Sequence, residues 1–182
     1  MKTTKQTNIL ALTPIFIVLG QVLTLVTPNL LGVIRPDFAL VFLFLCVIIH
    51  PTSKQVVVAS ILTMAMSLLA GGNPLFLLPS FADRLVSAFV CLAIYQLISQ
   101  GLASNNRFNK GLLFFVSTLV SGGVYVLSVY IIGEMFQLPE LLIIFKMGLP
   151  MLVVTILITA AINFFIGKFL IQLLALVSKK EY

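Results

Sequence analysis

The sequence predicts an all-α integral membrane protein, a bundle of six transmembrane helices with both termini in the cytoplasm. Three observations predict it. First, 60% of the 182 residues are hydrophobic and only 9% are charged, with a mean hydropathy of +1.19. Globular domains carry about 45–50% apolar and about 25% charged residues. A soluble fold of this size has too large a surface fraction to hide the excess. Second, the apolar residues form six runs separated by Gly, Pro and Asn, most of them near the roughly 20 residues that cross about 30 Å of hydrocarbon. Third, the cations sort to one side. With both termini inside, Lys2, Lys5, Lys54, Arg107, Lys110, Lys168, Lys179 and Lys180 are cytoplasmic, and only Arg35, Arg84 and Lys146 are outside. That split of eight to three follows the positive-inside rule. The spans leave no room for a sizeable extramembrane domain, so residues 1–182 are expected to form a single membrane domain.

The first span is expected from about Asn8 to Val26. Its start resembles a signal peptide, but Pro14 interrupts it, no small-residue cleavage site follows, and further spans come after. A loop from Thr27 to Pro36 is punctuated by Pro28, Asn29, Gly32 and Pro36. The second span, Asp37 to Ile49, rises only about 20 Å. Either the bilayer thins around it, or Arg35-Pro36-Asp37 lies at membrane depth. The third span is Gln55 to Gly71, and an apolar loop to Ser80 is expected to fold back on the bundle. The fourth span, Phe81 to Gln100, opens with Asp83 and Arg84. After a polar turn, Gly101 to Lys110, the fifth runs from Gly111 to Gly133. A loop, Glu134 to Glu140, leads to a final segment ending near Val177. It is too long for one straight span, so a kink or short interfacial helix is expected near Gly148 and Pro150.

Two stripes of small or polar residues recur at four-residue spacing: Ala59, Thr63, Ser67, Gly71 and Thr155, Thr159, Asn163, Gly167. Such stripes let helices approach closely and hydrogen-bond across the interface, so bundle packing is their first reading and a docking face their second. Cys46 and Cys91 lie in apolar runs and read as small core residues. His50 reads as a helix-end residue. No phosphate-binding P-loop, H-E-x-x-H or G-x-S-x-G motif occurs, so neither an enzyme, a cofactor nor a metal is expected. The net charge of +6 is spread over short loops, which speaks for topology and against a nucleic-acid partner.

Four of the five carboxylates, Asp37, Asp83, Glu134 and Glu140, fall on the outer side. Ionisable groups near hydrocarbon cost a few kcal/mol unless paired or wet, so this end is where polar chemistry is expected. Asp37 can cap the second helix and complement its dipole, with Arg35 snorkelling beside it. Alternatively, Arg35 and Asp37 face a cavity, with Asp83 or Arg84 across from them. Adjacent helical residues face different ways, so one of that second pair is expected to point inward. Arg can hold a carboxylate bidentately, Asp can hold an ammonium, Phe76 and Phe81 offer flat apolar walls, and Asn73 offers a neutral donor and acceptor. These seven residues, Arg35, Asp37, Asn73, Phe76, Phe81, Asp83 and Arg84, form the candidate substrate site. They suit a zwitterion with a large apolar side chain.

The run Gly32-Val33-Ile34-Arg35-Pro36-Asp37-Phe38, with the apolar stretch to Pro51, resembles the first outer loop and second helix of a known family. That family is the tryptophan-type substrate-binding S components of energy-coupling factor (ECF) transporters. The run Phe81-Ala82-Asp83-Arg84-Leu85-Val86-Ser87-Ala88-Phe89 resembles the same family's acid-base opening of the fourth helix. The family often has Lys where Arg35 and Arg84 stand, which keeps the charge and changes the hydrogen-bond geometry. The resemblance implies a multi-pass protein of the bacterial cell membrane that binds tryptophan from outside. Its partners would be an ECF module, made of two ATP-binding subunits and a transmembrane coupling subunit. An Ala-x-x-x-Ala docking motif in the first helix is incomplete here, because Ala11 is followed four residues on by Ile15.

Two rivals stand beside it. A stand-alone secondary transporter is expected to show internal repeats and broken midplane helices; the sequence shows no repeat, and no carboxylate is expected deep in a span. A non-transport scaffold resembling the MreD-like subunit of cell-shape complexes shares the length, topology and Arg-Pro helix start. It would need no ligand.

Overall fold

The computed structural model describes residues 2–27, 37–100, 107–142, 145 and 148–178. Every regular element among them is helical. The long helices are α1 (Lys2–Val26), α2 (Phe38–Ile49), α3 (Ser53–Leu69), α4 (Leu77–Ser99), α5 (Arg107–Met135) and α7 (Leu149–Ser178). A 3-10 turn, Pro74–Phe76, leads into α4, and the four-residue α6 (Pro139–Leu142) lies against α5. The stretches Pro74–Ser99, Asn109–Met135 and Leu149–Ala175 are long and apolar enough to cross a membrane, and Leu12–Val26, Phe38–Ile49 and Ser53–Leu69 are shorter apolar helices.

α2 is the axis of the molecule. It touches α1, α3, α4, α5 and α7, and every residue from Ala39 to Val47 is buried. Its sequence, FALVFLFLCVII, is apolar on all sides, which is the pattern of a helix with protein all round it. Twelve residues rise only about 18 Å. A lipid-facing helix of that length would leave backbone mismatched to the hydrocarbon; one enclosed by longer helices does not. Its first turn is closed by two acceptors. Leu40 N–H donates to Asp37 Oδ1 at 3.0 Å, and Ala39 N–H donates to Thr24 Oγ1 of α1 at 3.1 Å. The other end stops at His50, whose N–H donates to Cys46 O.

Lipid tails are as apolar as Leu, so helices in a membrane associate through close packing and interhelical hydrogen bonds. The α5–α7 interface shows both. Gly122 faces Ile156, where an added Cβ would lie 2.7 Å from the Ile side chain, and Gly167 lies against the Phe114 ring. Asn163 Nδ2 donates to Thr118 Oγ1 at 3.1 Å. Asn163 and Gly167 of the stripe on the last helix therefore serve packing. The stripe on α3 does too: Ala59 and Thr63 are fully buried, and Gly71 ends the helix at φ +86°. Outward faces are apolar, as at Ile15, Phe165 and Phe169, which are 62%, 68% and 58% exposed.

Several helix starts fall earlier than expected, α1 at Lys2 and α5 at Arg107 among them, while the break in the final segment falls where it was expected. α4 begins at Leu77 rather than Phe81, because the Pro74 turn, capped by Asn73, starts the helix early. The long final segment divides at Gly148, which takes φ +85°, and α7 begins directly after it.

Candidate functional site

The recess of the bundle follows from the lengths of its helices. α2 is short, so its N-terminus stops part-way along α5. Asp37 lines a cavity of about 210 Å³ together with Ser121 and Tyr125 of α5. Those two residues lie 14 and 10 positions before the end of α5 at Met135, which is about 15–20 Å along the helix. α2 contributes Asp37 and Leu40 to this cavity, and α4 contributes Asp83. α5 adds Thr118, Ser121, Gly122 and Tyr125, and α7 adds Thr155, Ile156 and Thr159.

The early start of α4 carries Asp83 and Arg84 from the helix mouth into its second turn, where each is only 8% exposed. Asp83 is thus buried by protein near the start of α4 rather than exposed at its mouth. The two neighbours part company, as adjacent helical residues must. Asp83 lines the cavity, and its Oδ1 is buried without a hydrogen-bond partner. Arg84 turns to α3, where Nη1 donates to Thr63 O at 2.8 Å.

Of the seven candidate residues, the structure thus brings Asp37 and Asp83 together. Asn73 and Phe76 line a separate recess of about 60 Å³ against α3, with Met64 and Ser67. Asn73 Oδ1 accepts from Leu75 N–H at 3.0 Å and holds the turn. Phe81 is half-buried and lines neither recess. Arg35 lies outside the described residues. The α5 and α7 residues of the cavity were not singled out as ligand contacts from sequence. Thr155 and Thr159 were visible only as a packing stripe. Nothing in an apolar helix marks which of its scattered hydroxyls face inward.

The threonines of the wall have a definite hydrogen-bond polarity. Thr118 Oγ1 donates to Phe114 O at 2.7 Å, Thr155 Oγ1 to Met151 O at 2.9 Å, and Thr159 Oγ1 to Thr155 O at 2.8 Å. Each hydroxyl proton is spent on its own helix, and Thr118 Oγ1 also accepts from Asn163, which leaves the acceptor lone pairs of Thr155 and Thr159. With two carboxylates and the hydroxyls of Ser121 and Tyr125 beside them, the described wall offers both acceptors and donors. Among the described residues, no three or more His, Cys, Asp or Glu side chains gather in a way that could hold a metal ion.

The family model of the tryptophan transporter TrpP matches residues 4–175. A probable tryptophan transport protein of Bacillus subtilis (strain 168) is 30% identical over 129 residues, covering 71% of this chain and 72% of its own. A probable tryptophan transport protein of Clostridium acetobutylicum is 28% identical over 127 residues, covering 68% of this chain and 71% of its own. No solved structure matches. A family match over nearly the whole chain, joined to several apolar helices, makes this a multi-pass protein of the bacterial cell membrane, and the chain belongs to the tryptophan transporter TrpP family.

Proposed function

We propose that this chain binds tryptophan in the cavity between α2, α4, α5 and α7 and delivers it across the membrane as the S component of an ECF-type importer. The observation that carries the binding site is the convergence of Asp37 and Asp83 on one recess that also holds Tyr125. Six spans forming one membrane domain, with both termini cytoplasmic, would open that recess to the outside. Family membership favours tryptophan as cargo and favours transport over the scaffold reading. The S-component role rests on the resemblance of the Arg35-Pro36-Asp37 and Asp83-Arg84 segments, and the absence of a P-loop agrees with it. Two ATP-binding subunits and a coupling subunit would then supply the energy.

Binding is directly readable, because the chain contains no tryptophan of its own. A shift in the indole emission of added tryptophan on binding is then read without indole signal from the protein itself. Asp37→Asn is the informative variant. Asn caps a helix about as well as Asp, so the Leu40 N–H stays satisfied while the charge is removed. Tryptophan affinity should fall about tenfold or more, with thermal stability nearly unchanged. Unchanged affinity would leave Asp37 with the helix cap alone.

The burial of Asp83 within a span favours a second reading, a stand-alone carrier that moves a proton or cation with its cargo. Uptake by the purified chain in vesicles without ATP would establish that reading and end the ECF one. Co-purification with ATP-binding subunits, and uptake only in their presence, would do the reverse.

A further inference from the structure

We infer that Thr155 and Thr159 of α7 accept the indole N–H of the ligand, so that these two hydroxyls set the preference of the cavity for indole over a ring of the same shape without a donor. This inference rests on the proposed binding of tryptophan in the same cavity. Asp83 marks that cavity as a ligand site: it is only 8% exposed, and its Oδ1 is buried without a hydrogen-bond partner. A buried acceptor left unmade is costly. The acids of the cavity come from the start of α2, with Asp37, and from α4, with Asp83. Ser121 belongs with them, because its hydroxyl hydrogen-bonds the Asp83 carboxyl. α7 supplies a different part of the wall, made of Thr155, Ile156 and Thr159.

Thr155 and Thr159 are four residues apart, so they lie one above the other on one face of α7. Each hydroxyl donates to the carbonyl four residues back, Thr155 to Met151 O at 2.9 Å and Thr159 to Thr155 O at 2.8 Å. Each proton is therefore spent, and each oxygen is left as an acceptor. Among the described residues neither oxygen receives a hydrogen bond, in contrast to Thr118 Oγ1, which takes Asn163 Nδ2. An indole N–H is the complement of such a pair, one donor and no acceptor on an apolar ring. Ile156 lines the same cavity and offers that ring apolar surface. The ring and the ammonium of the ligand are thus held by different helices.

The test compares L-tryptophan with 3-benzothienyl-L-alanine, in which sulfur replaces the N–H in a ring of nearly the same shape, on the full chain in detergent. Affinity is read by titration calorimetry and by ligand-induced thermal shift. The unaltered chain should bind tryptophan about tenfold more tightly, as one neutral hydrogen bond allows. Thr155→Val combined with Thr159→Val should weaken tryptophan about tenfold and leave the sulfur analogue within about twofold, so that the two ligands bind alike. Valine keeps the branched shape, and the backbone carbonyls released by the change keep their bonds within the helix. If the double variant does not fold, the two single variants carry the test, and at least one of them should narrow the preference. Equal binding of the two ligands by the unaltered chain would overturn the inference and leave tryptophan binding standing. A preference that survives in the valine variants would overturn it too. So would equal weakening of both ligands, since the threonines would then shape the cavity without reading the ring. No binding of either ligand by the unaltered chain would overturn both readings.

Discussion

Asp83 and Arg84 show how two neighbouring charges can lie inside a membrane protein for different reasons. Asp83 faces a cavity with one oxygen unmet, whereas Arg84 ties α4 to α3 through the Thr63 carbonyl. A hydrogen bond from a charged donor contributes about 1.5–3 kcal/mol. Arg84→Leu should therefore lower the stability of the detergent-solubilised chain by about that amount, measured by thermal or denaturant unfolding. A stability change near zero would show that the Arg84–Thr63 contact does not hold the two helices. Asp37 carries two roles at once, and both were readable as alternatives in the sequence. It caps α2 and it lines the cavity, and one role does not exclude the other.

Helix pairs in this bundle are set by what is missing from them as much as by what is present. α5 and α7 run antiparallel, with Gly111 beside Phe164 and Gly122 beside Ile156. At Gly167 the neighbour is the Phe114 ring, which itself stacks edge-on against Phe44 of α2 with centroids 6.1 Å apart. A methyl group there has to push three helices apart. Gly167→Ala should cost about 1–3 kcal/mol in unfolding experiments, as overpacking does. Gly123 is the control on the same interface helix, because nothing lies within 4 Å of its added Cβ. Gly123→Ala should be neutral or stabilising by up to about 1 kcal/mol, through helix propensity. Equal effects at the two sites would mean that α5 and α7 do not meet as described.

At the scale of the whole molecule, topology is the first quantity to test. Cys46 and Cys91 are buried and free, which leaves the background of thiol labelling low. Lys54 and Glu134 are both exposed, at opposite expected sides of the membrane. Glu134→Cys should react with an impermeant thiol reagent in intact cells, and Lys54→Cys only after permeabilisation. The reverse pattern would invert the bundle. The apolar runs, their breakers and the cation asymmetry were enough to read the membrane class and the approximate helix limits, because burial in lipid imposes those on composition and length. The two acids of the cavity were legible for the same reason: charges are scarce in such a chain, so each stands out. Which side chains meet was not legible. Lipid and protein interior are equally apolar, so a helix such as α2 carries no stripe to say which face turns inward, and the small-residue stripe of α7 does not say which helix it meets. Only the tertiary structure decided that α2 is enclosed, that Asp83 joins Asp37 while Arg84 turns away, and that hydroxyls of α5 and α7 complete the wall. Those outcomes depend on helix lengths and contacts between distant segments, which no local pattern contains.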